Sequence, residues 1–202
     1  MTRLAKFDWK AIEAGLDLEG QAVLQGLLSA DECDALTALD ANFQKLRANL
    51  YEKLAPIANR WNTMMGVAER YPARLDQLRQ LCHKAGQRRA LSAVSRLREG
   101  EQQPLRQHAD GECVFSLRAA VLLRQPGKDF TGGQLVMTEQ RPRMQTRPMV
   151  VPLQKGDATV FAVHYRPFKG TKGYYRVNLR HAVSRVRSGE RIAVDVLFHD
   201  AP

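Results

Sequence analysis

Residues 106–115 read RQHADGECVF and set His108 and Asp110 on either side of one small residue. An imidazole and a carboxylate at that spacing can share a turn hydrogen bond, or they can give two donors to one metal ion. Two imidazoles and one carboxylate on a single face of an octahedron hold Fe(II) and leave three positions open. The pair therefore asks for a second histidine from elsewhere. His164, His181 and His199 are the candidates, since His83 lies in a stretch that reads as helix. His181 is favoured by its downstream neighbours in HAVSRVRSGERIAVDVLF: Arg191 lies ten residues on, and neither rival has an arginine at that offset. A buried arginine is the natural two-pronged partner for a carboxylate-bearing co-substrate.

Such donors must be held by rigid elements, and the second half of the chain supplies them. From about residue 91 the sequence breaks into short β-branched or aromatic runs, LSAVSRL, CVFSLRAAVLLR, GQLVMTE, PMVVPL, DATVFAV, YYRVNLRHAVSRV and RIAVDVLFH. QPGKD, TGG, KGD and SGE separate them as turns, with Ser188-Gly189 the expected reversal after Val186. Strands at this spacing predict an antiparallel sandwich or barrel rather than alternating βαβ units. The first half reads as helical. Ser29 and Glu32 form a capping box for one helix running through LTALDANFQKLRANLYEKLAPI, with Leu36, Leu39, Phe43, Leu46 and Leu50 as its apolar stripe. GQAVLQGLL before it reads as a short strand. A further helix starts near Pro72 and stops at Gly86, and Trp9 and Trp61 are packing residues.

At 202 residues and 44% apolar, the chain suits one well-cored domain. No apolar run is long enough for a bilayer. MTRLAKFDWKAIEAG lacks the apolar core of a secretory signal, and Cys33, Cys82 and Cys113 show no paired spacing, so a soluble cytoplasmic protein is expected. The net charge of +10 is uneven: between Arg141 and Arg191 there are twelve Lys or Arg against Asp157 and Glu190 alone. Such a surface favours polyanions, nucleic acid among them.

HAD at 108–110, GGQL at 132–135, QKGDATVF at 154–161 and HAVSRVRSGER at 181–191 occur together in one order. In that order and rough spacing the chain resembles the Fe(II)- and 2-oxoglutarate-dependent dioxygenases, the prolyl 4-hydroxylase-like branch in particular. The resemblance covers roughly residues 91–199 and, more weakly, GLLSADECDAL. It implies an α+β fold with a double-stranded β-helix (jelly-roll) core at 91–199, supported by a mainly helical layer at 1–90, within one domain, 1–202. It implies that His108, Asp110 and His181 bind Fe(II) and that Arg191 binds the distal carboxylate of 2-oxoglutarate. O2 would be the other co-substrate, with ascorbate as reductant in vitro. Leu97 stands where that branch often has tyrosine before the HxD motif, and Leu122 and Leu123 where a tyrosine is common after it. Secondary contacts to the keto acid would then come from elsewhere, Ser184 or Arg118.

The reaction implied is hydroxylation, or demethylation through an unstable hydroxymethyl product. Ahead of His181 the chain carries AVHYRPFKGTKGYYRVNLR, where the family usually has a short connection. Two readings of it stand side by side: Tyr165, Arg166, Lys169, Lys172, Tyr174 and Arg176 form a substrate loop overhanging the barrel mouth, cations meeting phosphates and rings stacking on bases, or half of the segment is an ordinary strand whose Tyr175, Val177 and Leu179 point inward and leave the cations solvated. An alkylated base in nucleic acid is the favoured substrate, with the basic 141–191 region as its contact. A protein prolyl-type hydroxylase, a small-metabolite enzyme, or a non-catalytic nucleic-acid-binding module on the same fold are the alternatives. The oligomeric state is left open.

Overall fold

A computed structural model of the protein describes residues 3–36 and 38–202. After a short 3-10 turn at Arg3–Lys6, helix α1 (Trp9–Glu19) leads into strand β1 (Gln21–Leu24). Three helices follow, α2 (Ala30–Ala35), α3 (Ala41–Met64) and α4 (Leu75–Lys84). The strands after them are β2 (Arg89–Ala90), β3 (Ala93–Arg98), β4 (Gln103–Arg106), β5 (Leu117–Leu122), β6 (Phe130–Gly132) and β7 (Leu135–Gln140). The chain ends through β8 (Arg147–Val151), β9 (Ala158–Ala162), β10 (Tyr165–Gly170), β11 (Gly173–Val183), β12 (Val186–Val196) and β13 (Asp200–Ala201).

The strands form two antiparallel sheets of a jelly roll. One runs β1-β9-β5-β12-β3 with β6 beside β12, and the other runs β10-β11-β7-β8 with β4 beside β11. The short pair β13-β2 stands apart. Strand alternation sets the core. Along β11, Val177, Leu179, His181 and Val183 are buried while Arg176 and Arg180 are exposed. β1 joins the larger sheet through β9, Gln21 opposite Phe161, so the helical half contributes a strand to the core. The helices cap that side: Tyr51, Tyr71 and Phe198 surround Phe115 with ring centroids 4.8–5.3 Å away. Trp61 is fully buried, and its indole N–H reaches Asp17 of α1 at 2.7 Å. Among the described residues no helix is long and apolar enough to cross a membrane.

The helical half departs from expectation in three places. The capping box at Ser29 and Glu32 is present, but its helix ends at Ala35 and a second begins at Ala41. Asp40 recaps the chain by accepting from Phe43 N at 2.8 Å, so the leucine stripe is divided between two axes. The second helix also runs past Ile57 to Met64, with Pro56 on its exposed side, where the missing N–H leaves the Glu52 carbonyl without its helical partner. Pro72 lies outside α4, because Tyr51 Oη bonds to its carbonyl and Asn59 pins Tyr71 from both backbone sides, holding the segment extended up to Arg74.

A further correction concerns the last hairpin. Ser188-Gly189 is not the reversal: β12 already begins at Val186, and these two residues pair with Thr131 and Phe130 of β6 after a register shift between Val186 and Ser188. Gly189 is required there, since at φ +75° an added Cβ would lie 2.1 Å from the Asp129 carbonyl oxygen.

Candidate metal centre and co-substrate pocket

His181 faces inward from β11, 4% exposed, and His108 reaches the same point from the loop that leaves β4. His108 Nδ1 and His181 Nε2 are 3.1 Å apart, and the rings lie nearly parallel, at 17°. The loop is fastened to β11 by Gln107, whose amide donates to Leu179 O at 2.7 Å and Asn178 Oδ1 at 2.5 Å. Burial, and after it the Arg118 guanidinium, push the His181 pKa down to about 2; the same causes in the same order take His108 to about 3. Both imidazoles are therefore neutral and present lone pairs to one spot, the state a metal ligand needs.

Arg118 of β5 supplies the neighbouring cation. Its Nη1 donates to His108 Nδ1 at 2.5 Å and to His181 Nε2 at 2.9 Å, while Nη2 pairs with Asp195 of β12. A metal held by these imidazoles takes the lone pairs that Arg118 fills, so the two are alternatives at one position. Phe161 of β9 walls this end of the pocket, its ring 5.2 Å from both the Arg118 guanidinium and the His181 ring.

Four residues back along β12 from Asp195, on the same inward face, stands Arg191, with the small Ala193 between them. It is 3% exposed, its Nε has no partner, and no ion pair or hydrogen bond reaches its guanidinium among the described residues. Burial lowers its pKa, and the Asp195 charge opposes that. A buried guanidinium without a counter-ion is a seat for an anion brought by a ligand. The glycine pair of the GGQL motif makes room for it: at Gly133, φ +61°, an added Cβ would lie 2.9 Å from Arg191 Cδ.

Asp110 is not brought to the two imidazoles. It sits on an exposed turn with its carboxylate outside every hydrogen bond and ion pair of the described residues, among which no three His, Cys, Asp or Glu gather as a metal-holding group. The turn is held from behind by the buried Gln87, which accepts from Cys113 N at 2.7 Å and donates to Cys113 O and Asp200 O. At Gly111, φ +99°, a Cβ would strike the Gln87 amide. Of the rival histidines, His164 packs against Tyr165 and His199 accepts from Phe115 N at 3.3 Å. Ser184 accepts from Gln134 N and donates to Gln134 Oε1, which occupies its hydroxyl.

Of the two readings of the stretch before His181, the structure shows the strand, and more of it than expected: the segment is the hairpin β10–β11, with Val177 and Leu179 buried, and not a loop over the barrel mouth. Arg166 belongs to the core: at 1% exposure it pairs with the buried Glu139 of β7, and its Nη1 donates to Asp17 O at 2.8 Å. Its neighbours differ. Lys169, Lys172, Tyr174 and Arg176 are exposed and Tyr165 is half-buried. Tyr174 and Arg176 are an odd number of residues from His181 on the same strand, so they point away from the pocket rather than over it.

The fold is that of 2-oxoglutarate/Fe(II) oxygenases. The chain is similar to an oxidoreductase of the 2OG-Fe(II) oxygenase family from Burkholderia pseudomallei, 14% identical with a TM-score of 0.56, covering 97% of this chain and 93% of that one. It is also similar to SnoK, a non-heme alpha-ketoglutarate-dependent carbocyclase from nogalamycin biosynthesis, 13% identical with a TM-score of 0.52 over 97% and 85% of the two chains. In sequence it is 36% identical over 181 residues to the uncharacterized protein Rv2227 of Mycobacterium tuberculosis, covering 90% of this chain and 76% of that protein. Residues 36–201 match the model of the family Oxygenase-NA, described as "Oxygenase, catalysing oxidative methylation of damaged DNA", and the chain belongs to that family.

Proposed function

We propose that the protein binds Fe(II) and 2-oxoglutarate and oxidises an alkylated base in nucleic acid. The observation that carries this is the pairing of two neutral, convergent imidazoles on one sheet with a buried, unpartnered arginine on the facing one. His108 and His181 would hold the metal, and Asp110, exposed two residues past His108, would have to turn inward to give the carboxylate donor. When bound, the iron and the keto acid supply the oxidising power: one oxygen atom of O2 enters the substrate C–H bond, and the other enters succinate as CO2 leaves. On an N-methyl group the hydroxymethyl product releases formaldehyde.

The chain's own groups bind and orient. Arg191 takes the distal carboxylate of 2-oxoglutarate in two-pronged fashion. Arg118, paired with Asp195, sets the charge beside the imidazoles, and Phe161 keeps water from that side. The nucleic-acid substrate is favoured by the family description and by the excess of cations in 141–191.

The test is succinate formation with Fe(II), ascorbate and 2-oxoglutarate, with and without methylated single-stranded DNA. Methylated DNA is expected to raise succinate. His181→Ala is expected to lower turnover by about 100-fold or more, since it removes a ligand where loss of mere supporting partners already costs roughly 10- to 100-fold. Succinate unaffected by DNA would overturn the substrate, and DNA binding without turnover would leave only a binding module.

A further inference from the structure

Resting on the nucleic-acid reading, we infer that the outer face of the β10–β11 hairpin is a backbone-docking track for single-stranded nucleic acid, separate from the reaction pocket. The register puts Lys169 opposite Tyr174 and Pro167 opposite Arg176, on the face turned away from His181. Arg180 continues that face along β11, and Arg185 follows in the short link to β12. Same-face residues recur about every 6.8 Å along a strand, so Tyr174 to Arg180 spans about 20 Å in line.

Charge identifies the occupant. Lys169, Lys172, Arg176, Arg180 and Arg185 are all exposed, and none has an ion-pair partner among the described residues. Between Arg141 and Gly189 the sequence has a single acid, Asp157, and its carboxylate is buried, accepting from Gly26 N and Gln154 N. Tyr174, 44% exposed, adds a ring at the tip. A line of unopposed cations with an aromatic face is the arrangement that follows a sugar-phosphate strand and stacks a base without reading sequence. Because Lys169, Tyr174, Arg176 and Arg180 lie on the face turned away from His181, the track holds nucleotides flanking the target, and the target base must leave the strand to reach His108 and His181.

The experiment compares the wild type, the triple variant Lys169→Gln/Arg176→Gln/Arg180→Gln, and a charge-matched control, Lys10→Gln/Lys45→Gln/Lys84→Gln, on the helical side. Binding of fluorescent single-stranded DNA and RNA oligonucleotides is measured across a salt series, with melting temperatures to confirm folding. The track variant is expected to bind on the order of 10- to 100-fold more weakly, and its slope of log affinity against log salt to fall by about 2, at about 0.7 for each phosphate no longer neutralised. The control is expected to stay near wild type. Equal affinity of track variant and wild type, equal loss in the control, or no affinity of the wild type for either oligonucleotide would overturn the track. The reaction reading fails separately: a methylated oligonucleotide that binds through the track and raises no succinate leaves the track standing.

Discussion

Arg191 and Gly133 are one device at the scale of single residues. The arginine is buried without a counter-ion, and the glycine, at φ +61°, leaves the volume through which its side chain passes. Gly133→Ala meets both obstacles at once, a left-handed backbone that disfavours a Cβ by about 1–2 kcal/mol and a 2.9 Å approach to Arg191 Cδ. A melting temperature lowered by about 2–8 °C is expected for a chain of this size, together with a raised KM for 2-oxoglutarate. A lowered melting temperature at unchanged KM would mean that the glycine serves the turn alone. The motif residues of this device were legible in the sequence, because GGQL and the arginine ten residues past His181 are local patterns. Gln87, Gln107 and Asp195 were not legible. They act across 26 to 77 residues of chain, on Cys113, Leu179 and Arg118, and a lone glutamine or aspartate carries no periodicity to mark it.

At the scale of elements, alternation was legible and connection was not. The runs read as strands are strands, and β11 buries the residues its period-two pattern selects. Within the stretch before His181, YYRVNLRHAVSRV reads as strand but 165–173 does not, because its cations and Pro167 look like surface, whereas Arg166 is neutralised by Glu139, which belongs to a strand 27 residues earlier. The same absence of long-range information hid the break between α2 and α3, where Asp40 competes with helix continuation. The Arg166–Glu139 pair ties this hairpin to β7, and it gives a prediction of its own. Arg166→Ala leaves the Glu139 carboxylate buried, sharing it with Arg141 alone, and is expected to destabilise by about 3–5 kcal/mol in chemical denaturation. Replacing both partners, Arg166→Met with Glu139→Leu, is expected to recover most of that loss, because no charge is then stranded in the core. A double variant as unstable as the single would mean that the Arg166 bond to the Asp17 carbonyl, and not the ion pair, anchors the hairpin.

For the whole molecule, the groups proposed to bind ligand are divided between the two sheets. His108 and His181 come from the sheet of β4 and β11, whereas Arg118, Asp195 and Arg191 come from that of β5 and β12. Arg118 bridges the two sheets through its bonds to both imidazoles, with Phe161 packed beside His181, and Arg191 is left unanswered among the described residues. A metal with a chelated dicarboxylate would join the sheets at both ends of the pocket, so binding should appear as global stability. A ligand at about 100 times its Kd adds about 2.7 kcal/mol, which for a domain of this length is a rise of about 5–10 °C in melting temperature. Mn(II), which resists oxidation, with 2-oxoglutarate under nitrogen is the suitable pair. The expected pattern has three parts: a rise with metal and keto acid together in the wild type, loss of the keto-acid increment alone in Arg191→Ala, and loss of both increments in His181→Ala. If Arg191→Ala kept the full rise, the keto acid would be held by another cation, and Arg118, the other buried arginine of the pocket, would take its place as the anchor.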